Sequence, residues 1–210
     1  MQQKAAGSDA VFVSASIPDP ARWEGDFDAL EITDAVVALA RSFLTAGFQL
    51  VTAAHPTIAP LLLYVAAEFP SVAAERVIVY QSDLFTDVLP TATRRFEADG
   101  VGRLIWTEAA QGDRPEAGAW DESLRIMRQQ MLGETTPRAA CFVGGMDGIQ
   151  TEFSLFTELF PNRPTYPAGR PGGEARVLAE RLDTDLGRRL ATEDSYPALW
   201  RAVLQDLDTG

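Results

Sequence analysis

The sequence predicts an α/β fold, a single domain with a mostly parallel central sheet flanked by helices. Two observations carry this. Short β-rich runs alternate with longer windows whose apolar residues recur at helical spacing, as strands joined by crossover helices do. The length of 210 residues, with 46% apolar and 23% charged side chains, suits one ordinary globular domain.

Residues 10–14 (Ala-Val-Phe-Val-Ser) read as a first buried strand. Residues 28–46 read as a helix, with Ile32, Val36, Leu39 and Phe43 on one stripe and Gly47 as its C-cap. Residues 48–53 form the second strand, 60–69 a helix and 76–80 the third strand. A helix is expected over 87–98, with Pro90 tolerable only in its first turn. A short strand over 103–106 leads into a polar loop over 108–118. Then come a helix over 122–132, a strand over 139–143, a helix over 148–160, a short strand over 165–168 and a helix over 172–182. The last helix, 196–207, places Leu199, Trp200, Val203 and Leu207 on one face. In domain terms this gives a tail over 1–10, a domain over 11–190 and, within 191–210, an amphipathic helix that packs on the domain or forms a dimer interface.

Composition removes several function classes. Eighteen basic against 30 acidic residues give a net charge of −12, which repels a nucleic-acid backbone or an anionic membrane. Neither partner is expected. Lys4 is the only lysine, so the positive charge is otherwise arginine, which suits bidentate capture of phosphate or carboxylate. A single cysteine, Cys141, excludes an intramolecular disulfide and a multi-cysteine zinc site. A single histidine, His55, excludes paired-histidine metal motifs and weakens any Ser-His-Asp scheme. No metal and no cofactor are expected. No signal peptide is visible and no apolar stretch is long enough for a bilayer, so a cytoplasmic location is expected.

In open α/β sheets, ligands bind outside the carboxyl ends of the strands, which directs attention to the loops there. After strand one comes Ser14-Ala15-Ser16-Ile17-Pro18, whose hydroxyls can donate to phosphate oxygens. After strand two, Thr57 is placed to cap the next helix and His55 to bond a phosphate or ribose. After the fifth strand, Gly144-Gly145-Met146-Asp147-Gly148 opens a helix that carries Glu152 in its early turns. Glycines permit close backbone approach, and a helix start presents N–H donors to an anion. Cys141, just before, reads as inert core. A second glycine-rich turn, Arg170-Pro171-Gly172-Gly173, opens another helix, with Arg170 a candidate phosphate partner. Arg125 and Arg128 share a face of the helix feeding the Gly-Gly strand, which makes one of them a candidate partner for Glu152 or a phosphate.

These elements resemble the SLOG superfamily, also called LSDAT. Its Rossmann-like members include Lonely Guy (LOG) phosphoribohydrolases, the DNA-processing protein A family, and sensor domains of melastatin-type channels and Thoeris effectors. LOG enzymes carry Met-x-x-Arg-Lys on a helix, then a strand, then Pro-Gly-Gly-x-Gly-Thr-x-x-Glu. Arg128, 16 positions before Gly144, is similar to the arginine of that arrangement, and Gly144 through Glu152 looks like the glycine-to-glutamate element with one residue inserted. The Ser14–Pro18 and His55-Pro56-Thr57 loops resemble the prokaryotic defence-associated branch. The resemblance covers about residues 11–178. This chain departs from the LOG pattern at Ala53-Ala54-His55-Pro56, where a second glycine loop is missing, at Ile149 in place of threonine and at Gln129 in place of lysine.

The resemblance implies a nucleotide-binding sensor or signal-sequestering domain for an ADP-ribose or cyclic ADP-ribose-type ligand, in bacterial anti-phage defence. The ligand-binding set it implies is Ser14, Ser16, His55, Thr57, Arg128, Gly144, Gly145, Met146, Asp147, Gly148, Glu152, Arg170, Gly172 and Gly173. The alternative is a LOG-like phosphoribohydrolase that uses Arg128 and Glu152 as catalytic residues to cleave an N-glycosidic bond. A homodimer is expected, and a separate effector protein is a possible partner of a sensor that carries none.

Overall fold

A computed structural model describes residues 9–70, 73–116 and 118–209. Most of the expected tail therefore lies outside the described residues, and Ala10, assigned to it, already belongs to the first strand. The sheet has six parallel strands in the order β4-β3-β2-β1-β5-β6. They are β1 (Ala10–Ser16), β2 (Gln49–Ala53), β3 (Val77–Ser82), β4 (Arg103–Thr107), β5 (Ala139–Gly144) and β6 (Thr165–Ala168). The chain enters at the sheet centre, winds outward from β1 to β4, then crosses back to lay β5 against the other side of β1. This reversal between β1 and β5 is a topological switch point, and the architecture is Rossmann-like.

Alternation along the strands sorts side chains to two layers. Val11, Val13 and Ala15 of β1 face the layer of α1 (Ala29–Thr45), α2 (Ile58–Ala66) and the C-terminal helix Tyr196–Thr209. Phe12 faces the opposite layer, with Met127, Met131, Ile149 and Phe156. Asp28 caps α1 by accepting from the amides of Leu30 at 2.8 Å and Glu31 at 3.0 Å. Gly47 follows that helix in a left-handed conformation, φ +92°.

Several expected boundaries shift. The helix expected over 60–69 begins earlier, at Ile58, because Pro60 is accommodated in its first turn. The window 87–98 divides into a 3₁₀ segment, Asp83–Val88, and α4 (Thr91–Ala98), separated at Leu89 and Pro90, whose backbones are extended. Between α2 and β3 lies a one-turn helix, α3 (Ala73–Arg76). The helix expected from 172 starts only after Gly173, as α7 (Glu174–Ala179).

A further helix, α8 (Asp185–Thr192), has no counterpart among the expected elements, and it crosses the boundary placed between residues 190 and 191. At eight residues it spans little more than two turns, too short for its apolar spacing to stand out in the sequence; Thr184 holds its start by accepting from the Gly187 amide at 2.9 Å. The last helix, α9 (Tyr196–Thr209), lays its apolar face on α1. Trp200 is fully buried, donates from Nε1 to the Ala35 carbonyl at 2.9 Å and meets Phe43 edge-on. That stripe is spent on intramolecular packing. Among the described residues, no helix is long and apolar enough to cross a membrane.

Candidate functional site

A cavity of about 610 Å³ opens at the carboxyl ends of β1, β2 and β3, beside the switch point. It is roofed by α5 (Asp121–Thr135) and the start of α6 (Asp147–Leu159). Its size is that of a pocket for a drug-sized or nucleotide-sized molecule.

The cavity is organised around a carboxylate. Ser14 and Ser16 lie on the strand face that carries Phe12, because β1 runs two residues beyond its expected end. On α6, Glu152 falls in the buried stripe between Ile149 and Phe156. On α5, Leu124, Met127 and Arg128 face inward. These periodicities converge so that Arg128 Nε donates to Glu152 Oε1 at 2.9 Å and Ser14 Oγ donates to Glu152 Oε2 at 2.5 Å. The pair is largely withdrawn from solvent, with side-chain exposures of 15% for Arg128 and 12% for Glu152. Arg128 spends only Nε on this bond. Its Nη2 lies over the first turn of α6, 3.7 Å from where a methyl group on Gly148 would sit. No side chain caps that turn. Arg125, by contrast, points outward to Glu122 and Gln129, so Arg128 is the arginine that meets the carboxylate.

His55 lines the opposite wall. Burial lowers its pKa, against a smaller opposing effect of the Glu152 charge. The Thr57 amide donates to His55 Nδ1 at 3.4 Å, and the Thr57 hydroxyl lies 3.0 Å from the same nitrogen. A neutral ring that accepts at Nδ1 carries its proton on Nε2, which makes His55 a donor to the cavity. Thr57 itself does not cap α2 as expected. Its backbone is already helical, φ −98° and ψ −29°, where a cap residue is extended, and its hydroxyl turns back to the histidine.

Of the residues singled out in the sequence, Ser14, Ser16, His55, Arg128, Gly148 and Glu152 line this cavity. Gly144, Gly145, Met146 and Asp147 stand behind it, and the glycines make a backbone-to-backbone junction. The Gly145 amide donates to the Ser16 carbonyl at 2.7 Å and the Glu174 amide to the Gly145 carbonyl at 2.9 Å. Gly172 and Gly173 close the other side, with Gly173 N donating to Asp26 O at 3.0 Å and Gly172 bridging to Phe27. Arg170 lies outside the lining and pairs with Glu31 at 3.2 Å, an exposed contact. Cys141 is wholly buried, and burial pushes its thiol up, so it remains protonated core.

Other lining residues carried no sequence signal. Arg22, Gln81, Phe85 and Trp120 come from loops and strand ends without a motif. Arg22 has no side-chain partner among the described residues. The charged groups of the lining are therefore two arginines and one carboxylate, 2 − 1 = +1, within a chain of net charge −12. Among the described residues, no group of three or more His, Cys, Asp or Glu side chains is placed to hold a metal ion.

The family model of the SLOG cluster3 family matches residues 22–204. The chain belongs to that family. The match runs into α9, as far as residue 204, further than the resemblance read from motifs, which stopped near residue 178. The X-ray structure of TM1055, a structural genomics target, aligns with this SLOG domain at a TM-score of 0.58 and 14% sequence identity, covering 93% of this chain and 98% of that one. At that identity the likeness is one of fold. No curated protein matches the sequence.

Proposed function

We propose that this SLOG domain is a nucleotide sensor, or a module that sequesters a nucleotide signal, and that its ligand is of the ADP-ribose or cyclic ADP-ribose type. The observation that carries the proposal is the local excess of positive charge in the cavity of an otherwise acidic protein. The free Nη groups of Arg128, the Arg22 guanidinium, the uncapped start of α6 and the Nε2–H of His55 all offer donors to an anion there. Glu152 retains lone pairs beyond those used by Arg128 and Ser14, which suits acceptance from ribose hydroxyls. A role in anti-phage defence, exercised through a homodimer or a separate effector protein, follows from the branch that its strand-end loops resemble.

One observation favours a second reading. A carboxylate clamped by an arginine at a cavity wall is also what a metal-independent hydrolase of N-glycosidic bonds needs. Water would bond to C1′ as the C1′–N bond breaks, and the base would leave with the proton. Ile149 in place of threonine and the missing second glycine loop at Ala53-Ala54-His55-Pro56 favour binding over this.

The experiment is a thermal-shift panel of ADP-ribose, cyclic ADP-ribose isomers, NAD and AMP, with chromatography of each mixture afterwards. Binding raises the melting temperature by mass action. A shift with intact nucleotide supports the sensor, whereas free base with ribose phosphate makes the chain an enzyme. Arg128→Leu abolishes the shift and Arg170→Ala leaves it unchanged. Neither a shift nor a cleavage product with any nucleotide overturns both readings.

A further inference from the structure

The cavity has two chemically different ends, and only one of them is accounted for by phosphate and ribose. Arg128, Glu152 and Ser14 make the polar end. The other end is walled by Phe85 and Trp120, whose rings meet edge-on at 5.5 Å between centroids. Trp120 stands immediately ahead of α5, and Leu124, Met127 and Arg128 follow at helical spacing on the same inward face. Eight positions along the chain separate Trp120 from Arg128, a backbone rise of about 12 Å at helical spacing. A ligand touching both has a flat ring at one end and an anion at the other.

Gln81 lies in the same wall and is 7% exposed. Its Oε1 accepts from the Ser82 amide at 3.0 Å. An N–H donor at that position fixes the carboxamide orientation, because the flipped group would set two donors against each other. Nε2 is left without a partner among the described residues, on a side chain that lines the cavity. Nε2 keeps access to the open cavity, so it is free to donate to whatever occupies that space.

We infer that Trp120, Phe85 and Gln81 form a nucleobase subsite, in which the base stacks on the indole and accepts a hydrogen bond from Gln81 Nε2. This rests on the reading of the cavity as a nucleotide site and adds that the base, as well as the phosphate, is recognised. Stacking supplies affinity with little regard to base identity. The Gln81 donor adds discrimination, favouring a base edge that presents a ring nitrogen or carbonyl over one that presents only an amino group.

The test is titration of ADP-ribose into the intact protein, followed by calorimetry and by tryptophan emission. Trp23, Trp106 and Trp200 do not line the cavity, so quenching on binding reports Trp120. The expected results are quenching in the wild type, retained binding without quenching in Trp120→Phe, and roughly tenfold or weaker binding in Trp120→Leu. Calorimetric binding with no quenching overturns the subsite and leaves the nucleotide reading standing. So does quenching that persists in Trp120→Phe, or wild-type affinity in Trp120→Leu. Neither heat nor quenching in the wild type overturns the subsite together with the reading of ADP-ribose as ligand.

Discussion

Arg128 on α5 and Glu152 on α6 are joined by a 2.9 Å hydrogen bond that uses only the Nε of the arginine, while Ser14, 138 residues before the glutamate, holds its second oxygen. The bond ties the two roof helices together over the end of β1 and leaves the outer edge of the guanidinium available. One ion pair thus serves both the packing of the roof and the charge of the cavity.

Replacing one member strands the other in a site with little access to water. Glu152→Gln keeps an acceptor but removes the compensating charge, and is expected to destabilise the fold by about 1–3 kcal/mol. Arg128→Leu combined with Glu152→Leu costs less than the sum of the two single changes, by about 1 kcal/mol or more. Urea denaturation midpoints of the four proteins measure this coupling; additive costs show that the pair is not energetically linked.

His55 makes stability depend on pH in a defined direction. Its ordinary pKa is 6.5 and burial lowers it in the folded protein. Between the two values the unfolded chain holds the proton and the folded chain does not, so stability rises with pH across that window. The contribution is complete above pH 6.5 and is lost progressively as the pH falls toward the lower folded value. Denaturation curves from pH 7.5 to 5 are expected to show a smaller loss for His55→Asn than for the wild type. Parallel curves contradict this.

Gly173 has φ +68°, and a Cβ there would lie 2.6 Å from the Gly144 carbonyl carbon and 2.7 Å from the Gly145 oxygen. Both neighbours are backbone, so neither yields by a rotamer change. Gly173→Ala is expected to cost about 1–3 kcal/mol or more in unfolding free energy. An unchanged melting temperature is incompatible with this packing of the two turns.

Trp200 tests the place of the final helix. Trp200→Ala empties a fully buried site between α9 and α1 and is expected to cost about 3–5 kcal/mol. The loss appears in thermal melts at every protein concentration, since the contact is within one chain. A melting temperature that falls only on dilution points to a subunit contact instead.

Parts of this molecule were legible as text. The alternation of strands and helices specified a parallel sheet with crossovers, since a buried strand and an amphipathic helix each leave a local period in the sequence. The strand into Gly144-Gly145, the helix carrying Glu152 and the arginine pair at 125 and 128 were visible for the same reason. Short elements were not: α8 spans only eight residues, and the 3₁₀ segment over Asp83–Val88 has no period of its own.

By itself, then, the sequence determined the layers, the strand directions and the segments that end at the carboxyl edge of the sheet. Tertiary structure decided which of those segments share a cavity. It chose Arg128 over Arg125, took Ser14 to Glu152, and set Phe85, Gln81 and Trp120 around one space. It also turned Gly144, Gly145, Gly172 and Gly173 toward one another and sent Arg170 to Glu31. Periodicity is a property of neighbours within a few residues, whereas each of these contacts is made across a crossover, between positions whose separation in the chain carries no trace of their distance in space.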